Sequence, residues 1–120
     1  MNHIHWIGTL FQASTGSAAG VTWQPLVDVY RTRGGWLVKY DLAGVLPEDL
    51  TLRVHGRSLT IRGTRRDCCL EEGCSHYRLE IAYSRFERTI ELPEDLDQTR
   101  MTTEFRQGML LVRIEKEAPR

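Results

Sequence analysis

Apolar and polar side chains alternate in short runs along most of this chain, and a period of two is the geometry of a half-buried β-strand. Leu50, Leu52 and Val54 alternate with Thr51, Arg53 and His55. Met101, Thr103 and Phe105 alternate with Thr102 and Glu104. After Gly108, Leu110, Val112 and Ile114 alternate with Leu111, Arg113 and Glu115. Leu26-Val27-Asp28-Val29-Tyr30 is a further run, and Trp36, Val38 and Tyr40 share one side of the next. Gly34-Gly35 between those two suits a hairpin turn. Gly56-Arg57 turns the chain tightly into Leu59-Thr60-Ile61-Arg62. Phe86, Arg88, Ile90 and Leu92 fall on one side, so the arginine keeps all four from facing a core together. The total is about seven or eight short strands, spaced roughly 8–12 residues apart. Helical structure is expected only as single turns at Pro47-Glu48-Asp49 and Pro93-Glu94-Asp95, each with proline early and acids following. Two antiparallel sheets packed face to face follow, an all-β, immunoglobulin-like β-sandwich.

At 120 residues there is material for one domain. The reading divides it into a short flexible arm (1–22), a sandwich domain (23–116) and a very short tail (117–120). Lys plus Arg and Asp plus Glu each total 16, so no global positive field draws the chain to nucleic acid or to an anionic membrane. Near-zero net charge eases self-association. No apolar run is long enough to span a bilayer, and the N-terminus lacks a basic start followed by an apolar stretch. Three cysteines, an odd number, argue against a disulfide framework. These features predict a cytoplasmic protein with reduced thiols.

The arm mixes Gly8, Gly16 and Gly20 with Ile4, Trp6, Ile7, Leu10 and Phe11. Either its apolar half covers one edge of the domain, or it contacts clients or sister subunits through Ile4, Trp6, Ile7 and Phe11. Residues 68–76 place Cys68, Cys69, Cys74 and His76 close together. That set has zinc chemistry, but adjacent cysteines cannot easily both reach one ion. A redox role or an intersubunit disulfide is the second reading, with Arg65 and Arg66 lowering a thiol pKa and Glu71 and Glu72 opposing them. Incidental cysteines in a tolerant loop are the third. His3 and His5 straddle Ile4 but lack a third ligand. The chain contains no Gly-x-x-x-x-Gly-Lys-Ser/Thr phosphate loop and no Gly-x-Ser-x-Gly elbow. No convergent acid or histidine site is evident, so neither an enzyme nor a cofactor is expected.

Four local signatures in order resemble the small heat-shock protein (α-crystallin) family over about residues 23 to 116. Trp23-Gln24-Pro25-Leu26-Val27-Asp28-Val29-Tyr30 looks like the family's approach into its domain. Tyr40-Asp41-Leu42-Ala43-Gly44-Val45-Leu46-Pro47-Glu48-Asp49-Leu50 is similar to its "D-L-P-G-V-x-x-E-D-I" turn, with Ala43 in place of the proline. Phe86-Glu87-Arg88 followed by Ile90-Glu91-Leu92-Pro93 resembles "F-x-R-x-x-x-L-P", and Ser84 stands where a glycine is usual. Phe105-Arg106-Gln107-Gly108-Met109-Leu110 resembles "A-x-x-x-x-G-V-L", with Thr103 in place of the alanine.

The resemblance implies a holdase, which binds exposed apolar segments of unfolding client proteins without ATP. It implies a client groove between two edge strands, lined here by Leu50, Leu52, Val54, Met101 and Thr103. The alternative for these five is ordinary core. In bacterial and plant members, the long loop that matches residues 64–77 carries a strand that crosses to a partner and pairs with the strand beginning near Leu26. That implies a strand-exchanged homodimer, with His76, Tyr77, Leu79, Glu80 and Arg88 at the interface; a solvated loop is the other reading. Family tails usually carry Ile-x-Ile/Val, and no such motif follows Lys116 here. The expectation is a dimer or small oligomer whose groove is open or filled by Ile4 with Trp6 or Ile7. A co-chaperone or adaptor with one dedicated partner is the competing function on the same fold.

Overall fold

The computed structural model describes residues 20, 23–67 and 71–117. Among them seven strands form: β1 (Val27–Arg31), β2 (Gly35–Asp41), β3 (Leu50–His55), β4 (Ser58–Arg65), β5 (Ser84–Glu91), β6 (Thr99–Arg106) and β7 (Met109–Lys116). One 3-10 turn, Pro47–Asp49, leads into β3. The strands make a four-stranded sheet, β1-β2-β7-β6, and a three-stranded sheet, β3-β4-β5. Every neighbouring pair is antiparallel. The expected all-β sandwich is the fold.

Register explains why the alternation works. Trp36, Val38 and Tyr40 of β2 sit opposite Ile114, Val112 and Leu110 of β7. Leu52 and Val54 of β3 sit opposite Ile61 and Leu59 of β4. These inner rows, with Leu42, Leu50, Phe86, Leu92 and Leu96, form one buried core. Each fully buried Val, Leu, Ile or Phe contributes about 1.5–3 kcal/mol of transfer free energy. Phe86 lies across from Gly63, and any side chain at Gly63 would meet its ring and the carbonyl oxygen of Asp49. The absence of a Cβ there lets β5, β4 and the 3-10 turn close up.

The outer rows are polar. Thr60 and Thr89 are cross-strand partners whose hydroxyls meet at 2.7 Å, and Arg62 donates to Glu87 at 3.2 Å beside them. Such opposite pairs are the sheet's equivalent of helix surface pairs.

Three boundaries differ from the sequence reading. Residues 93–95 form a bend rather than a helical turn. Leu92 and Leu96 donate their backbone N–H groups to Arg57 and Gly56, so this stretch is tied to the β3–β4 turn instead of to itself. β4 also runs on through Arg65, because Thr64 and Arg65 pair with Arg85 and Ser84. The long connection is therefore 66–83, later at both ends than the expected 64–77.

Ser84 opens β5 with φ of +84°, a left-handed conformation that L side chains rarely adopt. Its carbonyl accepts the indole N–H of Trp23 at 3.2 Å, which fixes the backbone there. The left-handed penalty for a residue with a Cβ is about 1–2 kcal/mol, while the extra freedom of glycine in the unfolded chain costs roughly 0.5–1 kcal/mol. Ser84→Gly should therefore stabilise the protein by a net ~0.5–1 kcal/mol and raise Tm by a few degrees. Thermal melts monitored by circular dichroism check this, with Ser84→Ala expected to show no such gain.

Candidate functional site

An open sandwich has strand edges, and an edge presents unpaired backbone N–H and C=O groups. Here β3 and β5 bound the three-stranded sheet, and β1 and β6 bound the four-stranded one. The two strands proposed to flank a groove, β3 and β6, are thus both edges.

Their side chains divide. Leu50, Leu52 and Val54 are buried in the core behind the β3 edge. Met101 packs against the core while partly exposed, and Thr103 is half-buried beside it. Phe105, not among the residues expected to line the groove, continues the same row beyond Thr103 and is also partly buried against the core. The accessible apolar surface along these edges therefore comes from Met101 and Phe105 more than from β3.

The outer face of β6 carries an ion cluster. Glu104 accepts from Arg113 Nη1 at 2.9 Å and from Arg106 Nη2 at 3.0 Å. Glu104 sits opposite Leu111 of β7, which points outward yet is only 8% exposed. The long side chains act as a roof over that leucine. The Arg113 hydrogen bond, partly offset by desolvation and helped by Arg106, holds the Glu104 carboxyl below its ordinary range.

At the other sandwich margin, β1 is thinly covered. Val29 is 40% exposed although its cross-strand partner Val38 is 0% exposed. Leu26 and Tyr30 are also exposed. Arg88, an expected interface residue, is half-buried and donates Nη1 to the carbonyl of Pro25 at 2.9 Å. Its guanidinium thus ties the approach into β1 to β5 within one chain. Burial pushes the phenol of nearby Tyr40 up, and the charge of Arg88 opposes that rise.

The described part of the long loop stands in solvent. His76, Tyr77, Leu79 and Glu80 are all exposed, Tyr77 at 98% and Leu79 at 59%. Ile81, not among the residues expected at the interface, is exposed at 63% and continues the alternation Tyr77-Arg78-Leu79-Glu80-Ile81. No strand forms among residues 71–83. The base of the loop is clamped. Arg65 donates to the carbonyls of Ala82 and Ala43, each at 3.0 Å, and its guanidinium lies 4.3 Å from the Trp23 ring centre. Arg66 grips Asp49 with two bonds of 2.9 and 3.0 Å, which lowers the Asp49 pKa.

Cys68 and Cys69 and the arm residues Ile4, Trp6, Ile7 and Phe11 lie outside the described residues. Cys74 and His76 are exposed, and no group of three or more potential metal ligands occurs among the described residues. No described helix is long and apolar enough to cross a membrane.

Four strands on three, closed by one core and bounded by open edges, define an immunoglobulin-like sandwich. Residues 28–120 match the Hsp20/alpha crystallin family. Small heat shock protein C2 of Rickettsia felis is 26% identical over 93 residues, covering 78% of this chain and 60% of the relative. Heat shock protein 16.0 from Schizosaccharomyces pombe superposes with a TM-score of 0.70 at 27% identity, over 79% of this chain and 88% of that one. The hspA structure from Xanthomonas axonopodis gives 0.66 at 29% identity, over 80% and 96%. The chain belongs to the Hsp20/alpha crystallin family. It spans less than two thirds of the length of that Rickettsia felis protein and of other curated relatives it matches.

The depressed pKa of Glu104 has a consequence for stability. The unfolded chain binds this proton more readily than the folded one, so the contribution is full above the ordinary carboxylate pKa and is lost as pH falls through the folded value. Glu104→Gln should flatten the acid limb of the stability curve between about pH 5 and 3. Urea melts across that range test it; an unchanged slope would exclude Glu104 as a contributor.

Proposed function

We propose that this protein is an ATP-independent holdase of the cytoplasm, which binds partly unfolded proteins and suppresses their aggregation. The observation that carries the reading is that β3 and β6 are both edge strands, with the side chains of Met101 and Phe105 partly open beside them. An extended client segment gains backbone hydrogen bonds from an edge, and its alternate side chains fill the apolar pockets. Leu50, Leu52 and Val54 form the floor in this reading, and Met101 and Thr103 the accessible wall. Ile4, Trp6, Ile7 and Phe11 of the arm supply further apolar contacts. Family membership supports the assignment.

The working unit in this reading is a homodimer formed by strand exchange. The long connection, now bounded at 66–83, reaches a partner, and His76, Tyr77, Leu79 and Glu80 contact it. Arg88 supports that interface from beneath through Pro25. Two facts favour exchange over a solvated loop: the exposed apolar residues of the loop alternate, and the β1 edge is under-covered.

The test is protection of a heat-aggregating client in the absence of nucleotide. The parent chain should suppress light scattering at near-equimolar ratio. Met101→Lys should weaken that protection several-fold while far-UV circular dichroism stays unchanged. Equal protection by the variant would exclude the β6 wall, and no protection by the parent would exclude the holdase.

A further inference from the structure

The exposed loop segment and the β1 edge carry matching patterns. On segment 77–81, Tyr77, Leu79 and Ile81 fall on one side, Arg78 and Glu80 on the other. On β1, Val27, Val29 and Arg31 face the inner rows of Tyr40, Val38 and Trp36, while Asp28 and Tyr30 face outward. Arg31 caps the Trp36 ring at 4.3 Å, so the uncovered part of the inner row is Val29. On the outer side, Asp28 sits opposite Lys39, whose ammonium lies 5.2 Å from the Tyr30 ring. Arg78 meets Glu80 at 3.5 Å on its own segment, with both side chains 74% exposed, an arrangement readily given up.

We propose that segment 77–81 of a second copy of this chain adds to the β1 edge in a register fixed by Arg78 facing Asp28. The proposal rests on the strand-exchanged dimer above and adds the residues that select the pairing. Because side chains alternate, a one-residue slip would turn the apolar row to solvent, so only every second register is open. In an antiparallel pairing with Arg78 opposite Asp28, Tyr77 covers Val29 and Leu79 covers Val27. Sliding two residues one way places Glu80 against Asp28, and like charges directly opposite are unfavourable. Sliding two residues the other way places Ser75 over Val29 and leaves that valine uncovered. A parallel pairing with Arg78 opposite Asp28 also covers both valines, by Tyr77 and Leu79 in the reverse order. The charge pair is therefore common to both directions. In a two-fold dimer each pair occurs twice, so its effect on association is doubled.

The test uses the full chain and measures the dimer dissociation constant by sedimentation. Asp28→Arg and Arg78→Asp, both at exposed positions, should each raise it at least about tenfold, since two like-charged contacts replace two opposite ones. The double variant D28R/R78D should return to near the parent value. An equimolar mixture of the two single variants should associate more tightly than either alone, because both edges of the heterodimer are then complementary. Leu79→Pro separates strand exchange from its register. A parent dimer that L79P leaves intact would overturn strand exchange itself. A dimer that L79P breaks, but that shows no recovery in the mixture or the double variant, would overturn this register alone. A parent chain that stays monomeric and crosslinks through β1 only to unfolded client would assign the edge to clients and overturn both.

Discussion

Phe86 packed over Gly63 is the contact on which the rest of the molecule hangs. It lets β5 lie against β4 and brings the 3-10 turn ahead of β3 close to both. The Trp23 ring rests 4.9 Å from Phe86, so the chain's approach into β1 is seated on the same side chain. Trp23 in turn carries the Arg65 guanidinium, which holds Ala43 on one side and Ala82 on the other. One buried aromatic thus ties together a sheet, the approach to the other sheet, the turn after β2 and the base of the long loop. The unusual backbone of Ser84 sits within this knot, where Trp23 holds its carbonyl. Surrounding contacts of this kind are what allow a strained residue to persist.

Much of the fold was legible because its signal is local. Alternation in 36–40, 50–55 and 110–114 needs no knowledge of partners, and every second residue of those runs lies in the inner rows. The bend at 93–95 was not legible, because a local proline-acid pattern lost to a distant tie between Leu96 and Gly56. The ends of the long loop were misplaced for the same reason. Residues 63–65 carry no apolar alternation, and only pairing with β5 reveals them as strand. Of the candidate groove, both segments were legible as strands, but the burial of their side chains was not. Burial of Leu50, Leu52 and Val54 follows from how the sheets stack, which a single strand does not encode. Arg88 shows the limit most clearly. Its position on an apolar row was visible, whereas its acceptor, Pro25, lies 63 residues away.

A formal charge of zero hides a segregated surface. Glu104 with Arg106 and Arg113 roofs the outer face of the four-stranded sheet, and Arg62 with Glu87 and the Thr60–Thr89 pair dress the three-stranded one. These groups on both broad faces find their partners within their own chain. The margins are less well provided, above all β1 with Val29 and Tyr30. The open backbone edges lie at these rims, and any strand that pairs there is held in direction and register.

The two arginines at the start of the long loop have a mechanical consequence. Arg65 is joined to Ala82 across the loop's stem, and Arg66 to Asp49 beside it. The described residues beyond that stem, 71–81, stand exposed above a closed neck. A pull on those residues is met by the clamp before it reaches the ladder between β4 and β5. Displacing the loop and opening the sandwich are then separate events. The exposed segment can meet new surroundings while the sandwich itself stays closed.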